Sequence, residues 1–297
     1  MSMVNPNPMN SRLDSEDGGE AFAPIPSTMQ PEERATSGSL VTRDDIARDL
    51  RSLGVRPGDC LMVHSSLASI GRVLGGAPEV VRALLESVGD HGTLVMPAFS
   101  PDVSDPAGWA DAIPPAELAR ARASVPVFDA DTTPTTMGLI PETFRRWPGT
   151  LRGTHPQVSV CARGPLAATL VEPHPLSWGQ GAGSPFERLV QHDTRLLLLG
   201  VGFNRATLLH FAESTLPQRR TKIRRIPLDG EPSRRWIEVP DVGNDLGTHF
   251  PAIGDDFIAG GRARIGRVGS ARSILSSSKD LVAFAQEYLN RALLGGA

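Results

Sequence analysis

The sequence predicts an α/β fold, on three observations. A short apolar strand at Cys60–Val63 is followed by a glycine-bearing loop, a helix opening at Pro78, and a second short strand at Thr93–Met96. That order suggests parallel pairing through a crossover helix. Arg195–Val201 is a further continuous apolar run, as suits a strand covered on both faces. Between these runs, apolar residues recur with helical spacing.

Taken in order, residues 1–39 hold Pro6, Pro8, Pro24, Pro26 and Pro31, a small acidic run and no hydrophobic period. They are expected to be a disordered leader. Thr42 followed by Asp45 resembles a capping box, and Ile46, Leu50 and Leu53 then share a helical face that Gly54 ends. Val55–Asp59 is a turn, and His64 to Ala77 a Ser- and Gly-rich loop. Pro78 suits a first helical turn, and Val80, Val81, Leu84, Leu85 and Val88 form the stripe behind it. Pro97 closes the second strand. Residues 100–128 are rich in Asp, Pro and Ala, with no strong period before Glu117–Ala123, and are read as an insertion that shapes a substrate site. Val158–Ala162 reads as a strand and Thr207–Ser214 as a helix. From Thr221 to about Ile274 short strands and turns are expected. Asp280–Leu294 ends the chain as an amphipathic helix with Leu281, Phe284, Ala285, Tyr288 and Leu289 on one side.

Length and composition bound the function. The 297 residues make one large domain or two small ones. With 40% hydrophobic and 21% charged residues, wholesale disorder is excluded. A formal net charge of -3 leaves no domain-wide basic footprint for nucleic acid. No apolar run approaches the ~20 residues of a membrane helix, and the N-terminus lacks the pattern of a secretory signal. Cys60 and Cys161 are too few for a disulfide framework. A soluble cytoplasmic protein is expected, without nucleic-acid or membrane partners.

Four segments could carry chemistry. His64-Ser65-Ser66-Leu67, with Ile70-Gly71 beyond, ends a strand in small hydroxyl residues and could cradle a phosphate or pyrophosphate. It lacks the glycine-lysine motif of a Walker loop and the G-x-G-x-x-G of a dinucleotide fold; a plain βα loop is the other reading. Thr132, Thr133, Thr135 and Thr136, with Met137 and Gly138, offer hydroxyl contacts or simple helix caps. Arg152-Gly153-Thr154-His155-Pro156 holds a histidine that proline keeps out of helix, placed to take a proton at neutral pH or to sit on the surface. Thr207-Leu208-Leu209-His210-Phe211-Ala212-Glu213 puts Thr207, His210 and Glu213 on one helical face. A lone His-x-x-Glu is poor evidence for a metal, and no metal is expected. Cys161, inside a strand, reads as a buried structural thiol; a nucleophile would need a base and a lowered pKa.

The succession of these segments, with Gly75-Gly76, Gly92–Pro97, Glu142-Thr143-Phe144-Arg145, Ser159, Gly183-Ser184-Pro185 and Leu198–Val201, resembles the aminoglycoside 3-N-acetyltransferase family over about residues 40–290. The resemblance implies a single α/β/α-type domain over residues 40–295, with a central mixed sheet, the inserted substrate-site segment and a β-rich C-terminal part. It implies a fold unrelated to GNAT acetyltransferases. It also implies acetyl transfer from acetyl-CoA, as co-substrate, to the 3-amino group of a 2-deoxystreptamine aminoglycoside, and so a role in antibiotic resistance. His64, Ser65, Ser66, Leu67, Ile70 and Gly71 would meet CoA from one side, and Thr135, Thr136, Met137 and Gly138 would line its pantetheine side. His155 would be the general base. Glu213, Thr207 and His210 would complete the catalytic set, with Glu213 fixing the imidazole and Thr207 donating to the oxyanion or sulfur. A polycationic acceptor would be steered by acidic residues. Asp102, Asp105, Asp111, Asp129 and Asp131 around the insertion, together with Glu213, are the candidates. Relatives often carry Arg-Ser before the His-Pro pair, where this chain has Arg152-Gly153-Thr154. A small biosynthetic amine as acceptor, a CoA-binding module without catalysis, and a Cys161 acyl-enzyme are the alternatives. Monomer and homodimer both fit.

Overall fold

Thr42 caps the first helix as its spacing predicts. In the computed structural model its Oγ1 accepts from the Asp45 amide at 3.2 Å, and Asp45 Oδ2 accepts from the Thr42 amide at 3.0 Å. The structure describes residues 40–109, 113–229, 235–245 and 247–294. The expected leader and Asp111 lie outside them.

The elements in chain order are β1 Leu40–Val41, α1 Arg43–Leu53, β2 Cys60–Ser65, α2 Leu67–Ile70, β3 Arg72–Val73, α3 Ala77–Val88 and β4 Thr93–Pro97. Then come α4 Leu118–Ser124, α5 Leu139–Arg145, β5 Leu151–Arg152, β6 Val160–Arg163, α6 Ala167–Val171, α7 Pro185–Gln191 and β7 Arg195–Leu199. The rest is α8 Leu208–Ser214, β8 Thr221–Leu228, β9 Arg235–Val242, α9 Phe250–Ala259, β10 Arg264–Val268, β11 Ala271–Ser277 and α10 Ser278–Leu294.

The main sheet has seven strands in the order β10-β11-β7-β2-β4-β6-β5. Its centre, β7-β2-β4, is parallel, and both flanks are antiparallel, so the sheet is mixed. Side chains alternate across it with the strand period of two. Leu61, Val63, Leu94, Met96, Cys161, Leu197 and Leu199 join the core under α1, α3 and α5. Met62, Val95, Val160, Ala162, Leu196 and Leu198 join the core under α6 to α10. Helices thus cover both faces, which is why the central strands read as unbroken apolar runs. No helix among the described residues is long and apolar enough to cross a membrane.

The C-terminal part departs from the expected run of strands. It contains α9, whose Phe250, Ile253 and Phe257 are buried at helical spacing. Gly254 interrupts that signal. It is there because the Phe203 ring packs on it: a Cβ would meet Phe203 Cδ2 at 2.2 Å. Only β8 and β9 form a separate hairpin, while β10 and β11 extend the main sheet. The Ser- and Gly-rich loop after β2 holds α2 and β3, two elements too short to show a period.

Candidate active site

Because β2, β4 and β7 run parallel, their C-terminal ends meet at one edge of the sheet, where open α/β sheets leave a crevice for ligands. A cavity of 660 Å³ opens there. Its walls are His64–Ala68 from the end of β2, Pro97 and Phe99 after β4, Thr136–Pro141 at the start of α5, and Gly200 and Val201 after β7. Asn204–Thr207 and His210 complete it. Gly200, at φ 71°, allows close approach of two walls: Ser69 Oγ donates to its carbonyl at 3.0 Å, and a Cβ would meet Ser69 Cβ at 2.5 Å.

Most of the residues expected to hold CoA come together on this wall: His64, Ser65, Ser66, Leu67, Thr136, Met137 and Gly138. Three do not. Ile70 is fully buried in the core. Gly71 turns the chain at φ 102°. Thr135 points inward, with Oγ1 donating to the Phe99 carbonyl at 2.9 Å and its amide donating to Glu142 at 3.0 Å. It therefore shapes the wall without lining it. His64 Nε2 and Ser65 Oγ are buried with no hydrogen-bond partner among the described residues. Burial pushes the His64 imidazole down to about 3, so it is neutral. Unpaired buried polar atoms are costly, and a polar ligand in the cavity would satisfy them.

His210 and Thr207 both lie on the wall. The Thr207 side chain makes no capping bond. His210 is half-buried, and the edge of its ring packs on Phe250, centroids 4.8 Å apart. Its Nδ1 is buried and has no hydrogen-bond partner among the described residues. Burial, then the Lys222 ammonium, push it down to about 4; Asp241 and Asp245 oppose this, and Arg224 adds to it.

His155, the residue expected as the base, is elsewhere. It is fully buried and absent from the wall. Its Nδ1 accepts from the amides of Gln157 at 3.1 Å and Val158 at 3.2 Å, and Nε2 lies 3.3 Å from the Leu176 carbonyl. The ring serves the amides that follow Pro156. Burial, then His174 and Arg224, hold it at about 3.

Glu213 follows His210 by one turn but does not pair with it. The carboxylate is fully buried and held by Arg220, with Nε to Oε1 at 2.7 Å and Nη2 to Oε2 at 2.6 Å. Among the described residues neither histidine hydrogen-bonds to Glu213, so the expected carboxylate–imidazole pair is not formed. The expected acidic set also stays off the wall. Asp105 is ion-paired with Arg122, at 2.8 Å, and with Arg225. Asp129 accepts from the amides of Asp131 and Thr132 at 3.0 and 2.7 Å, which closes a turn. Asp102 and Asp131 are exposed. Cys161 is buried in the core beneath α5, and burial pushes its thiol up to about 12, the opposite of what a nucleophile needs.

Sequence reasoning missed Phe99, Asn204, Arg205 and the start of α5 as wall residues, because none stands in a recognisable motif. It also gave Arg152 no role. This half-buried guanidinium donates to the carbonyls of Ala98, Ala130 and Thr133 and to the hydroxyls of Ser100 and Ser159. It ties together the two segments that carry Phe99 and Thr136.

The model of the family described as Aminoglycoside 3-N-acetyltransferase matches residues 62–290. Aminoglycoside N(3)-acetyltransferase III of Serratia marcescens is 38% identical, over 84% of this chain and 97% of its own. The crystal structure of YokD from Bacillus subtilis superposes with a TM-score of 0.80 at 36% identity, covering 87% of this chain and 96% of that one. The structure of AAC-IIIb with CoASH superposes with a TM-score of 0.75 at 33% identity, covering 86% and 98%. The order of motifs, the mixed α/β sheet and the crevice at its carboxyl edge agree with these matches, and the chain belongs to the aminoglycoside 3-N-acetyltransferase family.

Proposed function

We propose that this acetyltransferase moves the acetyl group of acetyl-CoA to the 3-amino group of a 2-deoxystreptamine aminoglycoside, with His210 as general base. The relatives' names and the CoASH complex support the reaction. The observation that carries the choice of base is the setting of His210. Among the described residues two histidines line the cavity: His64 is buried at the end of β2, whereas His210 is half-buried on α8, on the same wall as Thr207. A base must be within reach of the proton it takes, and the more exposed of the two rings is the one an amine in the cavity can meet.

The chemistry is direct transfer. The acceptor nitrogen bonds to the thioester carbon, its proton passes to the His210 imidazole, and the carbon–sulfur bond breaks. Thr207 on the same wall is the candidate donor to the carbonyl oxygen. The neutral donors at Ser65, Ser66 and Thr136, with the exposed guanidinium of Arg205, suit a chain of amides and phosphates.

The test is thiol release from acetyl-CoA with a panel of aminoglycosides, in the parent and in His210→Ala. The variant should lose about 10²–10⁴-fold in kcat, the usual worth of a positioned base, with acetyl-CoA binding preserved. Turnover within a few-fold of the parent would overturn the assignment.

A further inference from the structure

We infer that Arg152 is a positioning residue for the acyl donor. It holds the part of the cavity wall built from Phe99 and Thr136–Gly138 in place against the part that carries Thr207 and His210. This rests on the reading of the cavity as the acetyl-CoA site.

The two parts of the wall are fixed in different ways. His64–Ala68, Gly200 and Val201 lie on or directly after β2 and β7, whose parallel pairing runs up to Ser65 opposite Leu199. The Ser66 amide continues it, donating to the Leu199 carbonyl at 3.0 Å. Phe99 and Thr136–Gly138 come instead from residues 98–100 and 130–138, which belong to no strand or helix.

Arg152 joins these two segments. It lies on β5, and β6 stands between β5 and β4 in the sheet. A guanidinium has five N–H donors, and here each has an acceptor. Nε donates to Ser159 Oγ at 3.1 Å. Nη2 donates to the Ala98 carbonyl at 2.7 Å and to Ser100 Oγ at 2.8 Å, on either side of Phe99. Nη1 donates to the Thr133 carbonyl and, at 3.4 Å, to that of Ala130. The Phe128 ring lies against the guanidinium, 4.8 Å from centroid to Cζ. The two gripped segments then bond to each other. Ser100 Oγ donates to the Pro134 carbonyl at 2.7 Å, and the Phe99 carbonyl accepts from Thr135 Oγ1 at 2.9 Å and from the Thr136 amide at 3.0 Å.

None of the five acceptors is a carboxylate, so the grip depends on the shape of the planar fork rather than on ion pairing. Lysine has three donors on one nitrogen and cannot span both segments. None of these bonds reaches Thr207 or His210. Loss of the fork should therefore shift the donor-facing wall and leave the base where it is.

The test compares Arg152→Lys, Arg152→Gln and Ser100→Ala with the parent in the full chain. Thiol release is measured over ranges of acetyl-CoA and aminoglycoside, CoA binding by titration calorimetry, and stability by thermal unfolding. Both Arg152 variants should raise KM for acetyl-CoA and Kd for CoA by roughly 10–100-fold, the scale of a group misplaced by about 1 Å. At saturating acetyl-CoA kcat should fall by no more than about threefold, the signature of lost donor binding. KM for the aminoglycoside and the pH profile of kcat should not move. Ser100→Ala removes one acceptor of Arg152 and the link to Pro134, and should raise the same two constants severalfold; it decides the matter if the Arg152 variants do not fold. A merely structural Arg152 would lower Tm while KM for acetyl-CoA and Kd for CoA stay within about twofold in the folded variants, and that result refutes the inference. Full CoA affinity in Arg152→Lys refutes it too. If the parent itself does not bind CoA, the reading of the cavity falls and takes the inference with it.

Discussion

The imidazole of His155 lies against that of His174, ring centroids 4.7 Å apart, in the interior and away from the cavity. His174 Nε2 reaches the Gly179 carbonyl at 2.7 Å, and both rings are neutral because burial holds them at about 3 and about 4. His155→Ala should therefore act on stability. It leaves the amides of Gln157 and Val158 without an acceptor, a cost of about 1–3 kcal/mol each when buried, while kcat at 20 °C stays within about tenfold of the parent. Thermal unfolding measured beside thiol release separates the two effects, and a kcat loss without a fall in Tm would return His155 to the chemistry.

Acid should unfold this protein early. His64, His155, His174 and His210 are held at about 3, 3, 4 and 4, against about 6.5 for a free histidine. A depressed pKa means that the unfolded state binds the proton first. Stability is thus fully present above pH 6.5 and falls as pH drops from there towards 4. The ceiling is about 2 kcal/mol per histidine at pH 5. Urea midpoints measured from pH 8 to pH 5 should decline below 6.5, and His155→Asn should flatten the decline. A midpoint that is level down to pH 5 would contradict the buried neutral state of these rings.

Glu213→Ala should destabilise more than it slows. Removing one partner of a buried ion pair typically costs about 3–5 kcal/mol, because Arg220 loses its main acceptor. A fall of roughly 10 °C in Tm follows for a domain of this size. The pH profile of kcat should keep its shape, since Glu213 does not touch His210. A displaced profile would show that the carboxylate reaches the base after all.

Much of the fold was legible because its signals are local. The capping box at Thr42, the stripe from Val80 to Val88 and the apolar run at Arg195 describe α1, α3 and β7 within a few residues. The motif order led to the family, and Ser65, Ser66, Thr136–Gly138, Thr207 and His210 all reached the cavity. Helix α9 was hidden because its glycine answers to Phe203, 51 positions earlier.

His155 and His210 look alike along the chain: each stands in a motif and each has an ordinary imidazole. Which one meets substrate depends on burial, and burial is set by packing between distant segments. Leu176 and His174 enclose one ring, while the edge of β2, β4 and β7 opens beside the other. The carboxylates follow the same rule. Asp105 looks free in an acidic loop until Arg225, 120 residues on, closes on it. Periodicity and motif order pass from neighbour to neighbour and can be read in one dimension. The partner of a charge and the exposure of a ring are three-dimensional quantities that exist only once the sheet and its two helical layers have come together.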